Sequence, residues 1–303
     1  MARLINIGSL CIDYVYTVSH IASVGETVAS EQVAVFPGGK GLNQSIAAAK
    51  AGAEVDHFGA IGADGAELVE FMAAAGVGVD GIVNLPGRTG HAVIQIDHEG
   101  QNSIVIAGGT NREIPQKIIH GAITGAKKGD WVLLQNETND VGNIIELGSR
   151  AGCKVAVNLA PADHNAQSYN YAHVHLLIVN ELEAKAVSGC SSVSAAFDNL
   201  VATYPEMNLV LTMGGDGLRY YQVEGPLQGA LGAYAVSVVD ETAAGDTFVG
   251  YLMAGLVQGA SMADVLIEAS AAGALATTRP GAAPAIPESD EVHALMAEQN
   301  LPR

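Results

Sequence analysis

Hydrophobic and polar positions follow two rhythms along this chain. Residues 3–8 (RLINIG) form a short apolar run closed by a glycine, the pattern of a buried opening strand. Residues 14–18 (YVYTV) alternate at period two and predict a half-exposed strand, and 27–36 (TVASEQVAVF) predict another. A glycine turn, PGGKG, then runs into an alanine-rich helix. Residues 54–61 read as strand and 64–75 as helix, with Asp64 as N-cap and Glu67 three residues on. Leu68, Phe71, Met72 and Ala75 fall on one face of that helix. Residues 89–106 predict a hairpin in which Ala92, Ile94 and Ile96 alternate and HEGQN makes the turn.

From residue 131 the two rhythms take turns. Apolar strands are predicted at 131–135, 154–159, 175–179 and 208–213, and helices at 141–151, 181–188 and 194–203. A hairpin at 218–236 and an apolar strand ending at Asp240 precede helices at 245–257, 262–276 and from about 288. Alternating strands and helices imply a parallel sheet covered on both faces. The early antiparallel strands do not fit that sheet and are expected to form a small separate layer. No linker, low-complexity tract or repeat divides the chain.

Composition narrows the classes of function. Hydrophobic residues make up 49% of 303 and charged residues 15%, which suits a compact enzyme. Aromatics are only 5%, so the core must be aliphatic. A net charge of −18 repels nucleic acid and anionic lipid, so neither is expected as a partner. Small anions remain possible ligands, because backbone N–H groups and bound metal can hold them locally. Cys11, Cys153 and Cys190 form no CxxC pair, which predicts a reducing cytoplasm rather than a disulfide scaffold. Asn6, Gly8, Ser9 and Asp13 interrupt the opening apolar stretch, which is read as a strand, not a signal peptide. No segment reaches the length of a membrane span without charges or breakers. The nine histidines form no metal-spaced cluster.

Two motifs are decoys. GVGVDG at 76–81 matches GxGxxG, but a helix precedes it and none follows, so Gly76 is read as a helix stop. Lys40 follows Gly39, yet Gly41 stands where a Walker A motif requires Ser or Thr.

The chemistry concentrates at 236–250, VSVVDETAAGDTFVG. A tight loop, ETAAG, leads into a helix whose N-terminus presents unpaired N–H groups and partial positive charge. Small residues at Ala243, Ala244 and Gly245 let a ligand approach those amides, as stabilising a moving phosphoryl group requires. Asp246 at the same end can accept a proton from an attacking hydroxyl, or it can merely cap the helix. Two alanines and a glycine before the acid are poorly explained by capping.

The string DETAAGDTFVG resembles the C-terminal signature of the ribokinase-like carbohydrate kinases of the phosphofructokinase-B type, and GGKGLNQSIAAAKAG resembles their N-terminal glycine signature. The resemblance runs from IGSLCID to TTRPGAAPAIP, nearly the whole chain. It implies an α/β fold, a three-layer doubly wound mostly parallel sheet with a small antiparallel β lid. A single kinase domain would cover 1–303, with lid strands inserted at about 13–36 and 89–106. It implies transfer of the ATP γ-phosphoryl group to a sugar hydroxyl, with ribose the expected sugar. Asp246 would be the base, and the amides of Ala243, Ala244 and Gly245 the anion hole.

Further roles follow from the resemblance. Asp13, Gly38, Gly39, Lys40, Asn43 and Glu137 would bind the sugar. Asn180, with Thr212, Gly214, Gly217 and Gly245, would line the ATP cleft, and Asn180 and Glu183 (N-x-x-E) would help hold Mg2+ through its water shell. Asp240 and Thr242, with carbonyls around Ala276, Arg279, Gly281 and Ala285, would form a K+ loop. Lids of two subunits would interlock into a homodimer. Each residue also has a plainer reading as turn acid, solvated charge, helix cap or glycine turn.

Cys11 in GSLCID departs from the family, which usually carries a sugar-contacting Asn there. A thiol is a poor hydrogen-bond partner, so the change bears on which substrate is used. A nucleoside kinase is the alternative enzyme, with a base pocket drawn from Tyr14, Ile94 or Ile106. A non-catalytic sugar sensor is the alternative outside enzymes, although Gly245 and Asp246 are both retained.

Overall fold

The computed structural model describes residues 2–224 and 227–299. Its elements run β1 (Leu4–Ile7), β2 (Cys11–Thr17), β3 (Gln32–Gly38), α1 (Lys40–Lys50), β4 (Val55–Ile61), α2 (Ala66–Ala74), β5 (Gly78–Asn84), β6 (Gly90–Ile96) and β7 (Asn102–Ala107). There follow α3 (Gln116–Thr124), β8 (Trp131–Gln135), α4 (Val141–Arg150), β9 (Lys154–Asn158), β10 (Leu176–Asn180), α5 (Glu181–Ser188) and α6 (Val193–Thr203). The chain continues through β11 (Asn208–Thr212), β12 (Leu218–Gln222), β13 (Leu227–Leu231), α7 (Ala244–Gln258), α8 (Met262–Ala276) and α9 (Ser289–Glu298).

One sheet of nine strands has the order β13-β12-β11-β10-β9-β8-β1-β4-β5. It is parallel from β11 to β5, with β12 and β13 antiparallel at one edge. Its central strands are buried on both faces, which is why they read as unbroken apolar runs. Alternation along each strand still sorts side chains between two cores. Leu4 and Leu133 pack with α1, α2, α7, α8 and α9, while Ile5, Ile7, Val132 and Leu134 pack with α3 to α6. The result is the expected three-layer arrangement. A second sheet of four strands, β3-β2-β6-β7, stands apart from the first. Within it β2 pairs antiparallel with β3 and parallel with β6, and β6 and β7 form the expected hairpin.

Several expectations need correction. Asp64 does not cap α2; Gly65 holds that position, and the Asp64 carboxylate accepts from the N–H and hydroxyl of Thr89 instead. Residues 236–240 form no strand, because the N–H groups of Val239 and Asp240 both donate to one carbonyl, that of Thr277. Helix α3 and strand β5 lie where no element was predicted. Gly121 and three isoleucines weaken the helical signal of QKIIHGAIT, and β5 begins inside the GVGVDG stretch. Gly76 does adopt φ 85, just past the end of α2.

Candidate functional site

Strand order reverses at β1, which has β4 on one side and β8 on the other. Open α/β sheets hold ligands beyond the carboxyl ends of strands at such a reversal. Here Ser9 follows β1 and Glu137 follows β8. The Ser9 hydroxyl donates to Glu137 Oε2 at 2.5 Å, and the Lys40 backbone N–H donates to the same oxygen at 3.2 Å. Glu137 is thereby held at the N-terminus of α1, where the helix dipole favours negative charge. A Cβ on Gly41 would lie 2.4 Å from the Ser9 nitrogen, so only glycine admits this approach.

The small sheet brings Asp13 to the same place. A Cβ on Gly38 would lie 1.9 Å from Asp13 Oδ2, so the carboxylate rests directly on bare backbone. Gly39 adopts φ 95 at the start of α1, a conformation that favours glycine. Burial, then the charges of Glu137 and Asp246, push the Asp13 carboxyl up to about 7, against the pull of Lys40. Burial acts to lower the Lys40 ammonium, but Asp246, Glu137 and Glu183 outweigh it and raise Lys40 above its usual range. Cys11 is only 5% exposed and touches Asn111 Nδ2 at 3.6 Å; burial, then Glu137 and Asp13, hold its thiol well above its usual range. Tyr14 points to the opposite face of the small sheet, toward α2, and so does not join Ile94 and Ile106 on the face of Asp13.

Helix α7 supplies the remaining wall. Ala243, its N-cap, adopts φ 60, a left-handed residue that turns the loop into the helix. The Ala244 N–H donates to the Glu241 carbonyl at 3.3 Å, while Gly245 and Asp246 occupy positions whose N–H groups have no intrahelical acceptor. Beyond its chain neighbours and the backbone of its own helix, no described heavy atom lies within 4 Å of a Cβ built on Gly245, so this side of the first turn is open. Asp246 is 8% exposed; its Oδ1 accepts from Gln44 Nε2 at 2.8 Å and its Oδ2 from Asn43 Nδ2 at 3.0 Å. Asn43 Oδ1 is buried with no partner among the described residues, a free acceptor beside Asp246. Cavities of about 470, 570 and 520 Å³ lie elsewhere on the surface and do not include Asp246.

Residues expected on the nucleotide side lie at the ends of the neighbouring strands. Asn180 and Glu183 form a closed capping box at the start of α5: Asn180 Oδ1 accepts from the Glu183 N–H at 2.9 Å, and Glu183 accepts from the Asn180 N–H and Nδ2 at 2.9 and 3.0 Å. Burial raises the Glu183 carboxyl despite those bonds, and its charge is felt by Lys40. Thr212 ends β11, and Gly214 and Gly217 flank the turn into β12. Gly217 has a structural reason of its own, since a Cβ there would meet the Leu231 carbonyl oxygen at 2.0 Å. The described residues hold no cluster of three or more His, Cys, Asp or Glu able to cage a metal.

Asp240 draws the expected K+ loops together. Its Oδ1 accepts from the Thr242 N–H and hydroxyl at 2.9 and 2.6 Å, and its Oδ2 from the Gly281 N–H at 2.8 Å. The Arg279 side chain turns away to pair with Glu291. Ala276 and Ala285 are buried.

Sequence reasoning passed over Ser9, Gln44, Gln135, Asn158 and Asn111. The available signal was a polar residue closing an apolar strand, as in WVLLQ and VAVN, since buried polar groups persist where they are hydrogen-bonded.

Known proteins resemble this arrangement over its full extent. The profile of the pfkB family carbohydrate kinases matches residues 1–289. The ribokinase of Bacillus subtilis (strain 168) is 32% identical over 304 residues, covering 98% of this chain and 100% of the relative. A crystal structure of ribokinase from Cryptococcus neoformans in complex with ADP superposes with a TM-score of 0.87 at 30% identity, covering 97% of this chain and 99% of the other. The structure of Arabidopsis thaliana ribokinase complexed with ribose and ATP gives 0.84 at 26% identity, covering 98% and 99%. No helix among the described residues is long and apolar enough to cross a membrane. The chain belongs to the pfkB family of carbohydrate kinases.

Proposed function

We propose that this ATP-dependent sugar kinase phosphorylates ribose, with Asp246 as the base. The observation that carries the reading is the setting of Asp246, whose carboxylate accepts from Asn43 and Gln44 at the open N-terminus of α7, within electrostatic reach of Asp13 and Lys40. Asp13, Asn43, Lys40, Glu137 and the bare backbone at Gly38 and Gly39 bind the sugar hydroxyls. The carboxylate draws the proton from one hydroxyl as its oxygen attacks the γ-phosphorus. The amides of Gly245 and Ala243 receive the charge that gathers on the transferred group, and Ala244 joins them when its N–H leaves the Glu241 carbonyl. Asn180, Thr212, Gly214 and Gly217 line the nucleotide cleft.

Mg2+, when bound, neutralises phosphate charge, with Asn180 and Glu183 holding its water shell. A K+ ion beside Asp240 and Thr242, with carbonyls of Ala276, Arg279, Gly281 and Ala285, would stiffen the anion-hole loop. The small sheet acts as a lid that excludes water, and two lids pair in a homodimer. Three free cysteines suit a reducing cytoplasm.

The test is ADP release across a panel of pentoses, hexoses, deoxy sugars and nucleosides. Ribose should give the highest kcat/KM. A nucleoside or deoxy sugar as best substrate would reassign the specificity, and Cys11→Asn would then be expected to move it back toward ribose. No release with any of them would end the kinase reading.

A further inference from the structure

Beneath the Asp246 carboxylate lies a chain of buried polar side chains whose proton directions are fixed by counting. Gln44 Nε2 donates to Asp246 Oδ1 and to Asn158 Oδ1, each at 2.8 Å. Gln135 Nε2 donates to Gln44 Oε1 at 2.8 Å and to Asn6 Oδ1 at 3.0 Å. Asn6 Nδ2 donates to the Gly41 carbonyl at 2.9 Å and to Ser45 Oγ at 2.8 Å. His57 Nε2 meets the Gly8 carbonyl, so that nitrogen carries the proton, and Nδ1 must accept from the Ser45 hydroxyl at 2.9 Å. Each of the three amide groups thus spends both N–H bonds. Asn6, Gln44, Gln135, Ser45 and His57 are all fully buried, and their strands and helix come from both sides of the sheet reversal.

We propose that Gln44 is a positioning residue for phosphoryl transfer, orienting the Asp246 carboxylate through an amide whose direction Gln135 locks. Flipping the Gln44 amide would set its NH2 against Gln135 Nε2 and its oxygen against two acceptors, so one orientation survives. The carboxylate is then presented only as an acceptor, with its remaining lone pairs turned to the site. This inference rests on Asp246 being the base, and the experiment separates the two ideas.

Gln44→Met and Gln135→Met keep side-chain length while removing the amides; only the first touches Asp246. Gln44→Met is expected to lower kcat on the order of 10²-fold, the scale of a small misplacement of reacting groups. The KM values for sugar and ATP should stay within a few-fold, and the acidic limb of kcat should move to higher pH. Asp13, Lys40 and Glu183 are the charged groups facing Asp246, from β2, α1 and α5, and are unaltered. Helix α8, packed on α7, carries Asp264 and Glu268, engaged with Ser261 and His293. Gln135→Met should shift the same quantities less, and it keeps the test alive where Gln44→Met fails to fold. Lowered Tm with kcat and its pH profile unchanged in both variants would reduce Gln44 to packing. Full turnover in Asp246→Asn would overturn the base itself, and the positioning role with it.

Discussion

Asp246 accepts on both carboxylate oxygens, from donors on one helix. Asp246→Asn therefore does two things. It removes the proposed base, which should cost on the order of 10²–10⁴-fold in single-turnover phosphoryl transfer. It also sets an NH2 against one of two buried donors, which should lower stability by about 1–3 kcal/mol in denaturant unfolding. Asp13 behaves differently. Its folded carboxyl sits at about 7 against an ordinary 3.8, so the fold favours its protonated form. Its contribution to stability is full below about 3.8 and is lost as pH rises through about 7. Asp13→Asn should therefore raise the Tm of the ligand-free protein at pH 8 while abolishing tight sugar binding. In the wild type, kcat/KM for the sugar should fall as pH drops through about 7, where the carboxylate proposed to accept sugar hydroxyls is lost. An unchanged Tm in Asp13→Asn, or a flat sugar profile, would count against a strained, buried Asp13. At this scale the sequence was legible where a residue sat in a motif, as Asp246 and Lys40 do. Gln44 stood in the same motif unread, because its partners, Gln135 and Asn158, lie on strands about 90 or more residues away.

Two of the glycines of helix α7, Gly245 and Gly250, have opposite meanings. Outside its own helix, a Cβ on Gly245 meets no described atom within 4 Å, whereas one on Gly250 would lie 2.3 Å from Ala47 Cβ and 2.7 Å from the Gln44 carbonyl oxygen. Gly250 lets α7 cross α1 closely, and that crossing brings Asp246 to Asn43 and Gln44. Gly245→Ala should leave Tm unchanged or slightly higher, since alanine favours helix. It should still lower turnover on the order of 10²-fold by filling space beside the proposed anion-hole amides. Gly250→Ala should cost about 1–3 kcal/mol from overpacking and lower turnover through the displaced α1. Thermal melts beside kcat measurements distinguish the two; equal Tm losses would refute the division. Elements were legible wherever one rhythm lasted a full strand or helix, as at β8, α5 and α8. They were misread where a local signal lost to a distant partner: Asp64 caps nothing because Thr89 claims its carboxylate, and 236–240 is drawn out of a sheet by the Thr277 carbonyl.

Across the whole molecule, the small sheet leaves apolar side chains outside both cores. Val35, Val93 and Val105 line one face and Ile104 and Ile106 the other, with Val105 67% exposed. A face of this kind suits pairing with a second lid. If the proposed lids pair, Ile104→Lys combined with Val105→Lys should shift sedimentation from dimer to monomer and raise ATP hydrolysis without sugar. A wild-type protein that sediments as a monomer would remove the lid pairing. The alternation of strand and helix, the acidic and cysteine-poor composition, and both glycine signatures are local properties of the chain, so sequence alone determined the layered fold class and the region of chemistry. Register, the reversal of strand order at β1 and the α1–α7 crossing depend on contacts between segments far apart in sequence. Only tertiary structure could decide that the Asp246 carboxylate rests on a buried ladder of amides, because a hydrogen bond's partner and direction are set by where the chain brings two side chains together.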